Sequence, residues 1–227
     1  MNYSFGKAKI VCCIAPMLMI LISSCSNLET RESKYPNGQV QSKWTEKQAE
    51  NGSYVKQGEY VSYYQDGSVL ERGMYDNGSK EGTWTKWHNN GQKSEEATYS
   101  SGLLNGALTM WDNNGHIQSQ LTYADGNQKG TKIVYYDNGN KMGEGLVEED
   151  KYEGNWRFWH KNGQLESEGK FENDSRIGNW IFYYENGQKK SEGEYINDLE
   201  QGTWEYWDES GNPIEDITYD KGLRIEP

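Results

Sequence analysis

The sequence predicts an all-β chain, an elongated single-sheet ribbon or solenoid of about seven 24-residue β-hairpin repeats. Three observations predict it. Glycines stand at positions 58, 82, 106, 130, 154, 178 and 202, each 24 residues after the last, and a second set follows nine residues later at 67, 91, 115, 139, 163, 187 and 211. An aromatic block lies between the two sets, running from Tyr60, Tyr63 and Tyr64 in the first unit to Trp204, Tyr206 and Trp207 in the seventh. Each unit also carries two turn signals, typified by Asn186-Gly187 and Asn197-Asp198, which leave two arms of strand length.

Composition narrows what such a ribbon can be. Hydrophobic content is 33% and net charge −12, values that lean toward disorder, but a disordered chain has no reason to keep aromatic residues (13%) in register. Burial must come mainly from Trp and Tyr, because Leu, Ile and Val are scarce. The acidity argues against nucleic acid or anionic lipid as main partner, since both require clustered Lys and Arg. Cys12, Cys13 and Cys25 are the only cysteines, so the repeats have neither disulfides nor a Cys-based metal site.

Taken in order, residues 1–24 read as a secretory signal: Lys7 and Lys9, an apolar run over 10–22, then Ser23 and Ser24. The run is short for a transmembrane helix, and Pro16 interrupts it. Ile22-Ser23-Ser24-Cys25 resembles the lipobox of bacterial lipoproteins. The resemblance implies diacylglyceryl attachment to the Cys25 thiol, cleavage before it and acylation of the new amino group; an ordinary signal with an incidental cysteine is the alternative. Acyl chains anchor at roughly 0.8 kcal/mol per buried CH₂. Residues 25–34 are polar and unpatterned and read as a tether. No acid follows Cys25 at Ser26, which in enterobacterial lipoproteins implies the outer membrane.

Residues 35–57 read as a degenerate N-terminal capping repeat, because Tyr35-Pro36-Asn37-Gly38 echoes the first turn five residues out of phase. Trp44 is expected to cover the first hairpin. The repeats proper occupy 58–227. In each, Asn-Gly is expected to form a type I′ turn. In the second arm, Gly73, Ala97, Leu121, Gly169, Gly193 and Ile217 precede Tyr75, Tyr99, Tyr123, Phe171, Tyr195 and Tyr219 by two residues. Small residues there leave room for a neighbouring ring to lie on the backbone. Gly178 reads in the same way, as a glycine that admits a ring. The fourth unit, with Lys132 for Trp and Asp150 for Gly, is expected to be the weakest.

The repeated Gly-x-Trp-x-x-aromatic…Asn-Gly pattern resembles the MORN-variant repeat of bacteria, over residues 58–225 and loosely over 35–57. The resemblance implies hairpin ribbons that serve as binding or scaffolding surfaces. Some bacterial members are antitoxins, an alternative that the lipobox disfavours by placing the chain outside the cytoplasm.

No catalytic constellation emerges, so no enzyme activity, cofactor or metal is expected. His88 and His160 share a position with Tyr and Asp in other units, which reads as a partly exposed strand end, and they lie three hairpins apart, too far to share a metal. Glu96, Glu144, Glu168, Glu192 and Asp216, interrupted by Gln120 and headed by Arg72, form an acidic stripe that reads first as a solvated face and second as a surface for a basic partner. The aromatic ladder reads first as core. Rings at both the second and fifth places fall on opposite faces of an ideal strand, so either the ribbon bulges or one ring is exposed. The candidate binding residues, taken as outward positions of the best copies, are Trp156, Trp159, Trp180, Tyr183, Trp204 and Trp207. The expected role is a non-enzymatic protein-interaction or scaffold module at the bacterial envelope, held to the membrane by lipid on Cys25. Carbohydrate or cell-wall binding is the alternative, since aromatic hairpins of this kind resemble choline- and glucan-binding modules.

Overall fold

The computed structural model describes residues 28–225. The signal segment and Cys25 lie outside the described residues. The strands are β1 (Glu29–Lys34), β2 (Val40–Gln48), β3 (Tyr54–Tyr63), β4 (Val69–Asp76), β5 (Ser79–Trp87), β6 (Lys93–Ser100), β7 (Leu103–Trp111), β8 (Ile117–Ala124) and β9 (Asn127–Tyr135). They continue as β10 (Lys141–Glu148), β11 (Lys151–Trp159), β12 (Leu165–Glu172), β13 (Ser175–Tyr183), β14 (Lys189–Ile196), β15 (Leu199–Tyr206), β16 (Ile217–Asp220) and β17 (Leu223–Ile225). Every strand pairs antiparallel with its neighbours in sequence, giving one open 17-stranded meander. The expected all-β hairpin ribbon is the fold.

One boundary moves. Of the expected tether over residues 25–34, Glu29–Lys34 is strand β1, paired with β2 from Glu29↔Glu46 to Lys34↔Val40. Polar residues suffice there because polar pairs cross to β2: Arg31 Nε lies 2.7 Å from Glu46, and the Ser33 and Ser42 hydroxyls are 2.7 Å apart. The Tyr35 hydroxyl then donates to the Tyr63 carbonyl at 2.8 Å, so this segment is a further hairpin in its own right. Trp44 pairs with Tyr60 across the first joint, as expected of a cover.

The type I′ geometry expected of the first turn set belongs instead to the second. At the Asn-Gly sites only glycine has positive φ, for example Gly187 at 85°. Gly187 N donates to Tyr184 O at 2.9 Å and Tyr184 N to Gln188 O at 2.8 Å, which is a three-residue loop built on a type I turn with glycine in the left-handed position. The Asn acts through its side chain. Asn186 Oδ1 accepts the Gln188 amide at 2.9 Å, and its Nδ2 donates to Glu209 O in the next turn at 2.7 Å. The type I′ turns are the second set, where both central residues have positive φ, as in Asn77 (49°) with Gly78 (85°) and Asn197 (51°) with Asp198 (67°).

The core is a row of rings lying on glycines. Trp84, Trp156, Trp180 and Trp204 are buried, and a Cβ at Gly73, Gly145, Gly169 or Gly193 would stand 2.2–2.3 Å from the indole of the following unit. A bulge in each first arm makes this approach: Glu192 pairs with Glu205 but Glu194 with Gln201, so extra residues around Gly202 swing Trp204 over Gly193. The ladder is interrupted there, and each indole Nε1 donates to a carbonyl beside the break, such as Trp156 to Leu146 O at 2.9 Å and Trp84 to Met74 O at 3.0 Å. The positions are matched in size. Ala97 faces Leu108, Leu121 precedes Lys132, and glycine precedes every tryptophan at this place. Gly178 is needed for another reason. A Cβ there would meet nothing within 4 Å, and its φ of +64° is what requires glycine.

Aromatic edges close the core. Phe171 meets Trp180 edge-on at 5.0 Å and Tyr195 meets Trp204 at 5.0 Å, in a continuous run from Tyr152 to Tyr219. The run stops at the fourth unit, where Lys132 replaces the ring, Gln128 is buried with Nε2 unpartnered, and the turn Glu149-Asp150 adopts φ of 51° and 63° without glycine.

Gly169→Ala is expected to cost about 3 kcal/mol, because the new methyl must displace an indole, while Gly178→Ala costs about 1–2 kcal/mol through backbone strain alone. In Gly169→Ala/Trp180→Leu, which copies the Ala97/Leu108 pair, the loss falls short of the sum of the single losses by about 1 kcal/mol or more. Urea midpoints measure all four proteins, and strict additivity would refute the ring-on-glycine account. Glu149→Asn/Asp150→Gly is expected to raise stability by about 1 kcal/mol, read as an upward shift of the same midpoint.

Candidate functional site

Alternation along each strand gives the sheet two faces with different chemistry. The ring face carries the second-place tryptophans, with Phe158, Phe182 and Tyr206 two residues on. The opposite face carries the third- and fifth-place residues of the first arm, such as Arg157 with Trp159 and Ile181 with Tyr183, facing the glutamates of the second arm in register: Arg157↔Glu168 and Ile181↔Glu192. The question of whether both rings are buried thus has a split answer. The second-place ring is core, and the fifth-place ring lies half-buried on the glutamate face.

The candidate residues divide accordingly. Trp156, Trp180 and Trp204 are 1%, 2% and 3% exposed. They are not outward positions, because each indole is clamped on a glycine. Trp159, Tyr183 and Trp207 are the rings that reach the surface, one per unit in a row across the sheet. They are not bare. Lys141 Nζ lies 5.6 Å from the Trp159 ring and Lys189 Nζ lies 4.8 Å from Trp207. The Tyr183 hydroxyl donates to Glu168 at 3.3 Å.

The acidic stripe is paired side chain by side chain. Glu192 accepts from Lys189 at 2.6 Å and Asn179 at 2.8 Å. Lys93 meets Glu96, Lys141 meets Glu144, and Arg157 meets Glu168 at 3.1 Å. Gln120, at the same position, accepts from the Tyr135 hydroxyl at 2.8 Å. The hydrogen bond from Lys189, then that from Asn179, holds the Glu192 carboxyl below its ordinary value. Asp216 leaves the stripe, because it precedes the short strand β16. Pro213, which has no N–H for the ladder, stands at the start of that arm. Thr131, Glu144, Leu146, Asn155, Arg157 and Glu168 border a shallow groove of about 610 Å³ on this face.

The histidines serve a structural purpose that spacing did not reveal. His88 Nε2 lies 3.0 Å from Trp111 O and His160 Nε2 2.9 Å from Tyr183 O. Tyr64, Tyr136 and Tyr184 place their hydroxyls on the equivalent carbonyls at 2.8–2.9 Å. The position that looked like a loose strand end is a rung joining each unit to the next. The interchange of Tyr and His was the available signal, since both reach a carbonyl with a donor at the ring tip. Among the described residues no group of three or more His, Cys, Asp and Glu could hold a metal ion, and no helix is long and apolar enough to cross a membrane.

The family profile of the MORN repeat variant matches residues 56–77, 80–101, 104–125, 152–173, 176–197 and 200–221, more than half of the chain. The chain belongs to the MORN repeat variant family. Each matched segment is one hairpin with both glycines, five of the six carry the second-place ring and the third has Leu108 there, and the fourth unit, degenerate in sequence and core, falls between matches. MORN repeats are in general protein- and membrane-interaction modules. No curated protein matches the sequence. Among solved structures, the crystal structure of TcdB2-TccC3 is similar at 10% identity and a TM-score of 0.14, over 85% of this chain and 14% of that one. A protein of unknown function from Bacteroides fragilis NCTC 9343 is similar at 9% identity and a TM-score of 0.13, over 87% of this chain and 96% of that one.

The low carboxyl value of Glu192 in this MORN sheet sets a pH dependence. Its stabilisation is fully present above the unfolded carboxylate value of 4.5 and is lost as pH falls through the lower folded value. The group is partly exposed, so the effect is about 0.5 kcal/mol. Glu192→Gln is expected to flatten the loss of stability between about pH 5 and pH 3 by that amount; urea midpoints across this range check it, and an unchanged slope would refute the pairing.

Proposed function

We propose that this MORN protein is a lipid-anchored, extracytoplasmic scaffold that holds a protein partner at the bacterial envelope, at the outer membrane, without catalysing a reaction. The observation that carries the reading is the division of labour between the faces. One face is occupied by the ring core, and the other presents half-buried Trp and Tyr with Arg157, the residue types that protein interfaces favour, set among paired Lys and Glu. Trp159, Tyr183 and Trp207 with Arg157 are its centre. The lipobox-like segment ending at Cys25 supports the address, and the absence of an acid at Ser26 supports the outer membrane. The burial of Trp156, Trp180 and Trp204 takes the second-place rings out of reach of a glycan.

Two measurements test the proposal. A palmitate analogue is expected to label the full chain in bacterial cells, and Cys25→Ala to abolish labelling and release the protein from the membrane fraction; persistent labelling would sink the anchor. Cross-linking in the envelope followed by purification is expected to recover a protein partner that Trp159→Ala/Tyr183→Ala loses. Retention on purified cell wall, reversed by soluble sugar, would overturn the protein-scaffold reading in favour of glycan binding.

A further inference from the structure

Nine Asn-Gly pairs stand among the described residues, with asparagine at 37, 51, 77, 90, 105, 114, 138, 162 and 186. Eight of these side chains are held. Asn90, Asn138, Asn162 and Asn186 are clamped at both ends of the amide. Each Oδ1 accepts the backbone amide two residues on, at 2.9–3.1 Å, and each Nδ2 donates to a turn carbonyl of the next unit, at 2.6–2.8 Å. Asn37 bonds through both atoms, Asn51 through Oδ1, and Asn77 and Asn105 through Nδ2. Asn114 differs. Its backbone amide donates to Asp112 Oδ1 at 2.8 Å, but among the described residues neither its Oδ1 nor its Nδ2 has a hydrogen-bond partner, and the residue is exposed.

The cause lies two residues earlier. Asp112 stands where other units have the Tyr or His rung, and its Oδ1 accepts both the Asn114 and the His116 amides, at 2.8 and 2.9 Å. It thus makes the bond that the turn asparagine makes elsewhere. The His116 amide, foremost among the causes, holds the Asp112 carboxyl below its ordinary value, so it is a charged acceptor at neutral pH. The seventh unit repeats this turn: Asp208 Oδ1 accepts the Ser210 and Asn212 amides at 2.9 and 2.8 Å. Serine precedes the glycine there, so an Asp-capped turn has no use for an asparagine amide. Only the third unit combines the Asp cap with Asn-Gly.

We propose that Asn114 is a site of spontaneous covalent modification, in which attack by the Gly115 nitrogen converts its side-chain amide to a carboxylate. Gly115 N loses its proton and bonds Asn114 Cγ, the amide nitrogen leaves as ammonia, and a five-membered succinimide remains. Water then opens the ring at either carbonyl, giving aspartate or isoaspartate. No oxidation state changes, and water is the co-reactant. Glycine has no Cβ to crowd the attack, and the loop tip exposes the amide to water. Gly115 N donates to Asp112 O at 3.1 Å, and the glycines of the clamped turns make the same bond, as Gly187 N does to Tyr184 O. Opening that bond is therefore common to every copy, and the side-chain clamp is what separates them. Both products add a negative charge beside Asp112, and isoaspartate also lengthens the loop backbone. The inference stands on the turn geometry and is independent of the scaffold reading.

The test incubates the full chain at neutral pH and physiological temperature and follows each Asn-Gly by peptide mapping that separates asparagine, aspartate and isoaspartate. Asn114 is expected to convert about tenfold faster than Asn90, Asn138, Asn162 or Asn186, each of which must first break two bonds. In denaturing urea, where no clamp survives, the five rates are expected to fall within about threefold of one another. Asp112→Tyr copies the rung of the sixth unit and leaves the His116 amide to Asn114 Oδ1, which slows conversion at Asn114 by about fivefold. Conversion of Asn114 no faster than the clamped sites, an advantage that persists undiminished in urea, or an unchanged rate in folded Asp112→Tyr would overturn the site. The comparison within the wild-type chain decides the matter if Asp112→Tyr fails to fold.

Discussion

A tryptophan plane resting on a glycine backbone is the contact on which this sheet depends. A single-layer ribbon has no second layer to cover its apolar side chains, so a ring escapes water only by lying flat on its own sheet. Glycine at 73, 145, 169 and 193 permits this, because any Cβ would occupy the space of the indole. The bulge beside each ring then leaves a carbonyl for the indole N–H, so the irregularity that brings the ring over also satisfies it. Where the ring shrinks to Leu108 the facing residue grows to Ala97, and where it is lost to Lys132 the preceding residue is Leu121. Volume is conserved across the joint even though residue identity is not.

Polar rungs make the complementary contribution, locking one unit to the next. Each runs across the joint between hairpins: the Tyr or His tip to a carbonyl, the turn Asn to the next turn, Lys189 between its own Glu192 and the next unit's Trp207. No hairpin can satisfy these groups alone, which is why the architecture stabilises by stacking and why a defective unit weakens its neighbours. The fourth unit shows what a defect looks like. It lacks the ring and buries an unpartnered amide at Gln128. Aromatic contact is divided, across the third unit with Leu108 and the fourth with Lys132, into a short run up to Tyr99 and a long one from Tyr152 to Tyr219.

Function follows from what stability leaves over. The ring face is consumed by the core, and the glutamate face is free to vary because its residues bond mostly to one another. The acidic stripe is satisfied within the chain: its carboxylates already hold lysine, arginine, asparagine and tyrosine. The rings left half-buried at the surface are those of the fifth place, such as Trp159, Tyr183 and Trp207 in the later units.

Much of this was legible in the chain. The 24-residue spacing alone settled the all-β ribbon, because two turn signals per period admit no other element, and the glycines before each second-arm aromatic announced rings on the backbone. Other features were illegible for physical reasons. Asn-Gly is compatible with two turn types, and the choice depends on bonds to the next turn. The polar segment Glu29–Lys34 lacks any apolar signal, because one ion pair and one serine pair across to β2 do the holding. Gly178 and Gly169 look alike in sequence, yet one is required by backbone angle and the other by the ring of the following unit. The sequence by itself thus determined the repeat, the strand count per repeat and the residues able to form a core. Only the tertiary structure decided which ring of each pair is buried, because that depends on a bulge whose direction is set by packing between neighbouring hairpins.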